Sequence, residues 1–248
     1  MSRNLQSFAG RHRELQINVK STGSGNSTVD LFIRILSALC RIEFQTRGCL
    51  HGILWVMNAP TSLKFCPACG KSTTDRIPEG DNRQRQVCDH CDFINYQNPK
   101  NVVGCILGWE EKVLLCKRAI EPRYGYWTLP AGFMENRETS MEGAAREAFE
   151  EANATAENLK LFGLYNLPRI SQIYIMFHGD LKDGYIATGE ESLDVGLFAR
   201  EDIPWDELAF PVVTESLQRY FEERPNHQVH VADIKGRPGA DIEIIRYD

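Results

Sequence analysis

Three glutamates, Glu147, Glu150 and Glu151, follow one another at intervals of three and one in the run Arg146-Glu-Ala-Phe-Glu-Glu151, with Glu147 and Glu151 four apart. On a helix these spacings gather the carboxylates on one face, within reach of a common cation. Hard oxygen ligands select Mg²⁺ or Mn²⁺. Arg146, next to Glu147 and four residues before Glu150, is placed to brace a carboxylate by a bidentate contact and hold it ionised. An acidic helix face on its own is more often only solvated, so the surroundings of the run decide its meaning.

A second set of ligands lies upstream. Cys66-Pro-Ala-Cys69 and Cys88-Asp-His-Cys91 are two CxxC knuckles with eighteen residues between them. Each two-residue gap lets a tight turn aim both sulfurs at one ion, and two such turns complete a tetrahedron around Zn²⁺. Two disulfides are the competing interpretation, which this paired spacing disfavours. A closed Cys₄ site leaves no open coordination position. Its zinc is therefore structural, supplying folding energy to a segment of about thirty residues that is too short for a core. Gly70 sits where the first knuckle needs a positive φ, and His90 reads as an exposed residue rather than a ligand. Cys105 and Cys116, within apolar runs, read as small core residues. A thiolate zinc site without a secretion signal points to a reducing compartment, the cytoplasm.

The elements that must carry these groups are legible. Thr139 with Glu142 forms a capping box, the following Ala, Glu, Arg and Met residues favour helix, and Asn153 can take the left-handed conformation at its end. Ala144, Ala145 and Ala148 allow close approach of neighbouring backbone. Strands are expected at residues 101–108, 112–118, 159–167, 170–181 and 193–198. A second amphipathic helix is expected over 212–223, with Val213, Leu217, Tyr220 and Phe221 inward.

The 248 residues carry a net charge of −6 and 42% hydrophobic side chains, enough for a real core. The acidic balance argues against nucleic acid as a partner, since a phosphate-tracking surface must be positive. Residues 1–56 hold seven basic and three acidic groups, and the apolar stretch 29–44 is broken by Asp30, Arg34, Arg41 and Glu43. That stretch is no membrane span. Residues 1–61 form a leader read in three ways: sequence upstream of a start at Met57, a small helical appendage, or an organellar targeting segment.

Gly132, Glu138, Arg146, Glu147, Glu150 and Glu151 fall at the intervals of GX₅EX₇REUXEEXGU, where U is a bulky aliphatic residue. The segment thus resembles the Nudix hydrolase signature. Knuckles, the linker Tyr96-Gln-Asn-Pro99 and this box occur in the order of a zinc-ribbon Nudix hydrolase. Three positions depart from the signature: Ala148 and Ala154 at the U positions, and Asn153 in place of the second glycine.

The resemblance implies an α/β fold, a Nudix α/β/α sandwich around a mixed sheet, preceded by a small zinc ribbon. It divides the chain into a ribbon at 62–97, a hydrolase domain at 98–225 and a C-terminal tail at 226–248. It also implies Glu147 and Glu151 as ligands of Mg²⁺ or Mn²⁺, with Glu150 helping to hold the metal or its water. Arg146 would orient the first glutamate, and Gly132 would lend its carbonyl. Glu191, in the loop before residue 193, is the candidate for an additional acid outside the box; adjacent surface acids more often only solubilise.

The implied reaction is hydrolysis of a pyrophosphate linkage in a small-molecule nucleotide, FAD or ADP-ribose, to AMP and a second phosphorylated product. Similarity is greatest to bacterial relatives of plant FAD pyrophosphohydrolases, through residues 77–82 and 118–127, while Pro168 resembles a downstream proline of ADP-ribose hydrolases. The alternatives are NADH, a dinucleoside polyphosphate or capped RNA as substrate, or an inactive zinc-ribbon binding module. The SQPWPFP signature of the NADH-cleaving branch is missing, since Ser171-Gln172 continues as Ile-Tyr-Ile. Tyr124, Tyr126, Tyr165 and Phe198 are candidates for stacking on a base, against the commoner role of packing. Relatives commonly form homodimers.

Overall fold

The computed structural model describes residues 63–236 and 242–247; the leader at 1–61 lies outside them. The ribbon is a three-stranded antiparallel sheet of β1 (Thr73–Arg76), β2 (Arg85–Cys88) and β3 (Ile94–Asn95). Gly70, at φ +71°, turns the chain after the first knuckle. From residue 63 to 97 only Cys66, Val87 and Cys88 are buried. Two of those three are thiols, so this segment has almost no apolar core of its own.

A nine-stranded sheet follows: β4 (Lys100–Trp109), β5 (Lys112–Arg118), β6 (Trp127–Thr128), β7 (Ala131–Phe133), β8 (Ala156–Leu167), β9 (Gln172–Leu181), β10 (Ser192–Phe198), β11 (His230–Lys235) and β12 (Glu243–Arg246). The order is β10-β5-β4-β9-β8-β11-β12, with β6 on β5 and β7 on β4. β4 runs parallel to β9 and β8 parallel to β11, while the remaining pairs are antiparallel, so the sheet is mixed.

Two helices cover its faces. Helix α1 (Ser140–Ala152) places Ala144, Ala148 and Ala152 against Val103, Cys105 and Leu107 of β4 and Phe177 of β9. Helix α2 (Pro211–Glu222) buries Val212, Val213, Leu217 and Tyr220 against the opposite face, with Ile106, Leu115, Phe162 and Tyr165. This is the expected α/β/α sandwich. No helix among the described residues is long and apolar enough to cross a membrane.

β4 and β5 pair only at Gly108–Val113 and Trp109–Lys112, next to their hairpin. Beyond that point they part, and β7 pairs with β4 while β6 pairs with β5. Gly104 permits this, because a Cβ there would overlap Ala131. The opening delivers residues 131–133 to the foot of α1.

Two expectations are corrected. The expected strand from residue 170 starts at Gln172, because Pro168–Ile170 form a 3₁₀ turn that ends on Ser171 at φ 51°. Residues 226–248, read as a tail, contain β11 and β12 of the main sheet. The inward positions of β11 are His230, Ala232 and Ile234, whereas Val231 is exposed, so hydrophobic alternation is blurred. Buried His230 is satisfied by Arg219 at 2.6 Å and Glu223 at 2.8 Å. Arg246 clamps Glu215 of α2 through two bonds of 2.8 and 2.9 Å.

Candidate active site

Helix α1 begins as its sequence requires. Thr139 Oγ1 accepts from the Glu142 amide at 3.2 Å, and the Thr139 amide donates to Glu142 Oε2 at 2.8 Å. At its other end Asn153 takes φ 49°, the left-handed conformation. Because the alanine face has no side-chain bulk, the helix lies low on β4, and the adjoining Glu147 and Glu151 sink with it to 8% and 7% exposure. Glu150 remains more exposed.

Arg146 is the hub of the site. Its Nε and Nη2 donate to the two oxygens of Glu138, both at 3.0 Å. Its Nη1 donates to Glu147 Oε1 and Glu150 Oε2, both at 2.8 Å, and Nη2 also donates to the Phe133 carbonyl at 3.2 Å. All five guanidinium N–H groups are thereby used. The guanidinium holds the Glu138 carboxyl below the usual carboxylate range, helped by the Glu135 amide. Gly132 is a contact rather than a hinge: a Cβ there would fall inside the Glu147 carboxylate.

Burial raises the proton affinity of Glu147, with Arg146 opposing it. Glu151 is pushed up to about 8, first by burial and then by the charge of Glu147; Arg118 and the Ala131 amide pull the other way. Glu191, exposed in the loop before β10, acts on both, its charge raising Glu147 and Glu151 alike. The Ala119 amide bonds to the Glu191 carbonyl at 2.8 Å. Two carboxylates that burial drives to hold their protons, with the charge of Glu191 acting on both, form a hard-oxygen set that a divalent cation would suit. Among the described residues, only the four ribbon cysteines form a set of three or more ligand atoms all within 4.8 Å of one another. Glu147, Glu150 and Glu151 form no such set, although Arg146 Nη1 is bonded to both Glu147 and Glu150.

In the ribbon Cys66 and Cys91 sulfurs are 3.7 Å apart, and those of Cys69 and Cys88 3.5 Å. A tetrahedron with Zn–S bonds of about 2.3 Å has edges of about 3.8 Å, so the four thiols fit the ion. The Ala68 and His90 amides point at Cys66 and Cys88 Sγ, both at 3.4 Å, and help to carry thiolate charge. His90 is exposed.

Of the aromatic candidates, Tyr165 is fully buried under α2 and Phe198 packs edge-on against Trp127, centroids 4.8 Å apart. Tyr124 is exposed, and Tyr126 lies under the Arg123 guanidinium at 4.9 Å. Neither Arg118 nor Ala131 is marked as a neighbour of Glu151 by any local pattern; their positions beside it follow from the parting of β4 and β5.

Two family models match the chain consecutively: a Nudix N-terminal zinc ribbon over residues 64–97 and a NUDIX domain over 98–219. The chain belongs to the Nudix hydrolase family. A crystal structure of a NUDIX hydrolase from Nitrosomonas europaea is 52% identical, with a TM-score of 0.65 over 69% of this chain and 99% of that one. The NAD-capped RNA hydrolase NudC of Haemophilus influenzae is 30% identical over 147 residues, 58% of this chain and 54% of that protein. The ADP-ribose pyrophosphatase of Methanocaldococcus jannaschii is 33% identical over 119 residues, 46% of this chain and 69% of that protein. The chain thus spans about half the length of the NudC proteins it matches.

Proposed function

We propose that this chain is a Mg²⁺- or Mn²⁺-dependent pyrophosphohydrolase that cleaves a nucleoside diphosphate derivative, ADP-ribose or FAD, to AMP and a second phosphorylated product. The observation that carries the reading is the buried pair Glu147 and Glu151, backed by the Gly132 backbone and braced by Arg146. A divalent ion held there supplies charge neutralisation of the phosphoryl oxygens and a more acidic water. Glu147 and Glu151 hold it, and Glu150 helps to hold the ion or its water. Arg146 fixes the carboxylate orientations, and Glu191 takes the proton of the attacking water. The ribbon, residues 62–97, is assigned a structural zinc at Cys66, Cys69, Cys88 and Cys91, and a thiolate site of this kind suits a reducing compartment such as the cytoplasm.

ADP-ribose is favoured by the name of the archaeal relative. A second reading, NAD(H) or NAD-capped RNA, is favoured by the NudC relatives, and opposed by the departure after Ser171-Gln172. Turnover of ADP-ribose, FAD, NADH and a NAD-capped RNA with each metal separates these readings. Hydrolysis of none would overturn the enzymatic assignment.

A further inference from the structure

The second glycine of the signature is Asn153 in this chain. Glycine would satisfy the left-handed φ with no side chain; here the carboxamide has work beyond the turn. Asn153 Nδ2 donates to the Ala187 carbonyl at 3.1 Å and to the Thr188 carbonyl at 3.4 Å. The same loop donates back to the helix end, the Ala187 amide to Ala152 O at 2.8 Å and the Gly189 amide to Glu151 O at 3.0 Å. The loop backbone lies so close that a Cβ on Gly189 would overlap the Glu150 carbonyl. Glu191 follows two residues later, its own carbonyl tied to the end of β5 by Ala119.

We propose that Asn153 is a positioning residue: its side chain staples loop 187–189 to the C-terminal end of α1 and so fixes Glu191 relative to Glu147 and Glu151. The helix that carries the glutamates thereby also sets the register of the acid outside the box. The inference rests on the hydrolase reading with Glu191 as proton acceptor, and its test separates the two.

The test is Asn153→Gly in the full chain, which keeps the left-handed turn and removes only the staple. Gly189→Ala is a second, independent way to lift the loop. Losing the neutral hydrogen bond to Ala187 together with the longer, weaker one to Thr188 should lower kcat roughly three- to tenfold with KM little changed. The amides of Ala187 and Gly189 should exchange with solvent faster by a similar factor. In a Glu191→Gln background Asn153→Gly should cause no further loss, because both changes act at one group. Full additivity, wild-type kcat in Asn153→Gly, or unchanged exchange at Gly189 would each overturn the staple. A Glu191→Gln enzyme with wild-type turnover would instead remove Glu191 from the mechanism and end the positioning role with it. Absence of turnover in the wild type would count against the hydrolase reading alone, since exchange at Gly189 still decides the staple.

Discussion

Arg146→Lys keeps the charge and removes the fork. The guanidinium makes five hydrogen bonds to Glu138, Glu147, Glu150 and the Phe133 carbonyl; an ammonium has three donors radiating from one atom. At least two bonds must go, and the parallel pair to Glu138 is geometrically out of reach. Charge-assisted bonds contribute about 1.5–3 kcal/mol each. Glu138 and Glu150 can take up water in their place, so the surviving loss should be about 2–3 kcal/mol. If that loss falls on the carboxylate geometry needed in the transition state, kcat drops roughly 30- to 150-fold. If it falls on folding, the unfolding free energy measured in urea drops by the same amount. Both are read on one preparation, with Mn²⁺ affinity followed by electron paramagnetic resonance. Arg146→Lys within twofold of wild type in turnover and Mn²⁺ affinity, and unchanged in urea, would refute the hub.

Glu147→Gln removes one charge at constant size, and its amide oxygen can still accept from Arg146. Turnover should fall by roughly 10²- to 10³-fold or more while the thermal midpoint stays near wild type. Cys69→Ser should lose zinc by metal analysis and unfold the ribbon, whose buried residues are so few; a zinc-free wild type that retains the ribbon's amide protection would contradict this. Glu151 binds its proton more tightly folded, at about 8, than unfolded, at 4.5. Its contribution to stability is therefore complete below about pH 4.5 and is lost as pH rises to 8. His178 and His227, both lowered by burial, act oppositely below about 6.5. Between pH 6.5 and 8, with zinc bound and no Mg²⁺ or Mn²⁺, stability should fall by up to about 2 kcal/mol, and Mn²⁺ should restore it. A flat profile there would argue against the buried, proton-hungry carboxylate.

What could be read in advance divides along physical lines. Thr139, Glu142 and Asn153 act within a turn of their own position, so the limits of α1 were visible, as were the knuckles, whose geometry is local. The five longest strands, β4, β5, β8, β9 and β10, showed through their apolar runs. β6 and β7 are two and three residues long, too short for any period, and β11 hides because His230 points inward. Arg146 was placed beside Glu147 by sequence, but its bidentate grip on Glu138, eight residues back, depends on how the loop folds under the helix. Asn153 reaches Ala187 across 34 residues, and nothing in a linear pattern announces that.

The pairing of β8 with β11 joins Asn166 to Asp233, 67 residues apart. During synthesis the outer edge of β8 must wait, ribbon and helix α1 already made, until β11 leaves the ribosome. An unpaired edge of this kind is a template for association with another chain. The nascent protein is thus open to mispairing throughout that interval, and its yield should depend on how quickly β11 arrives.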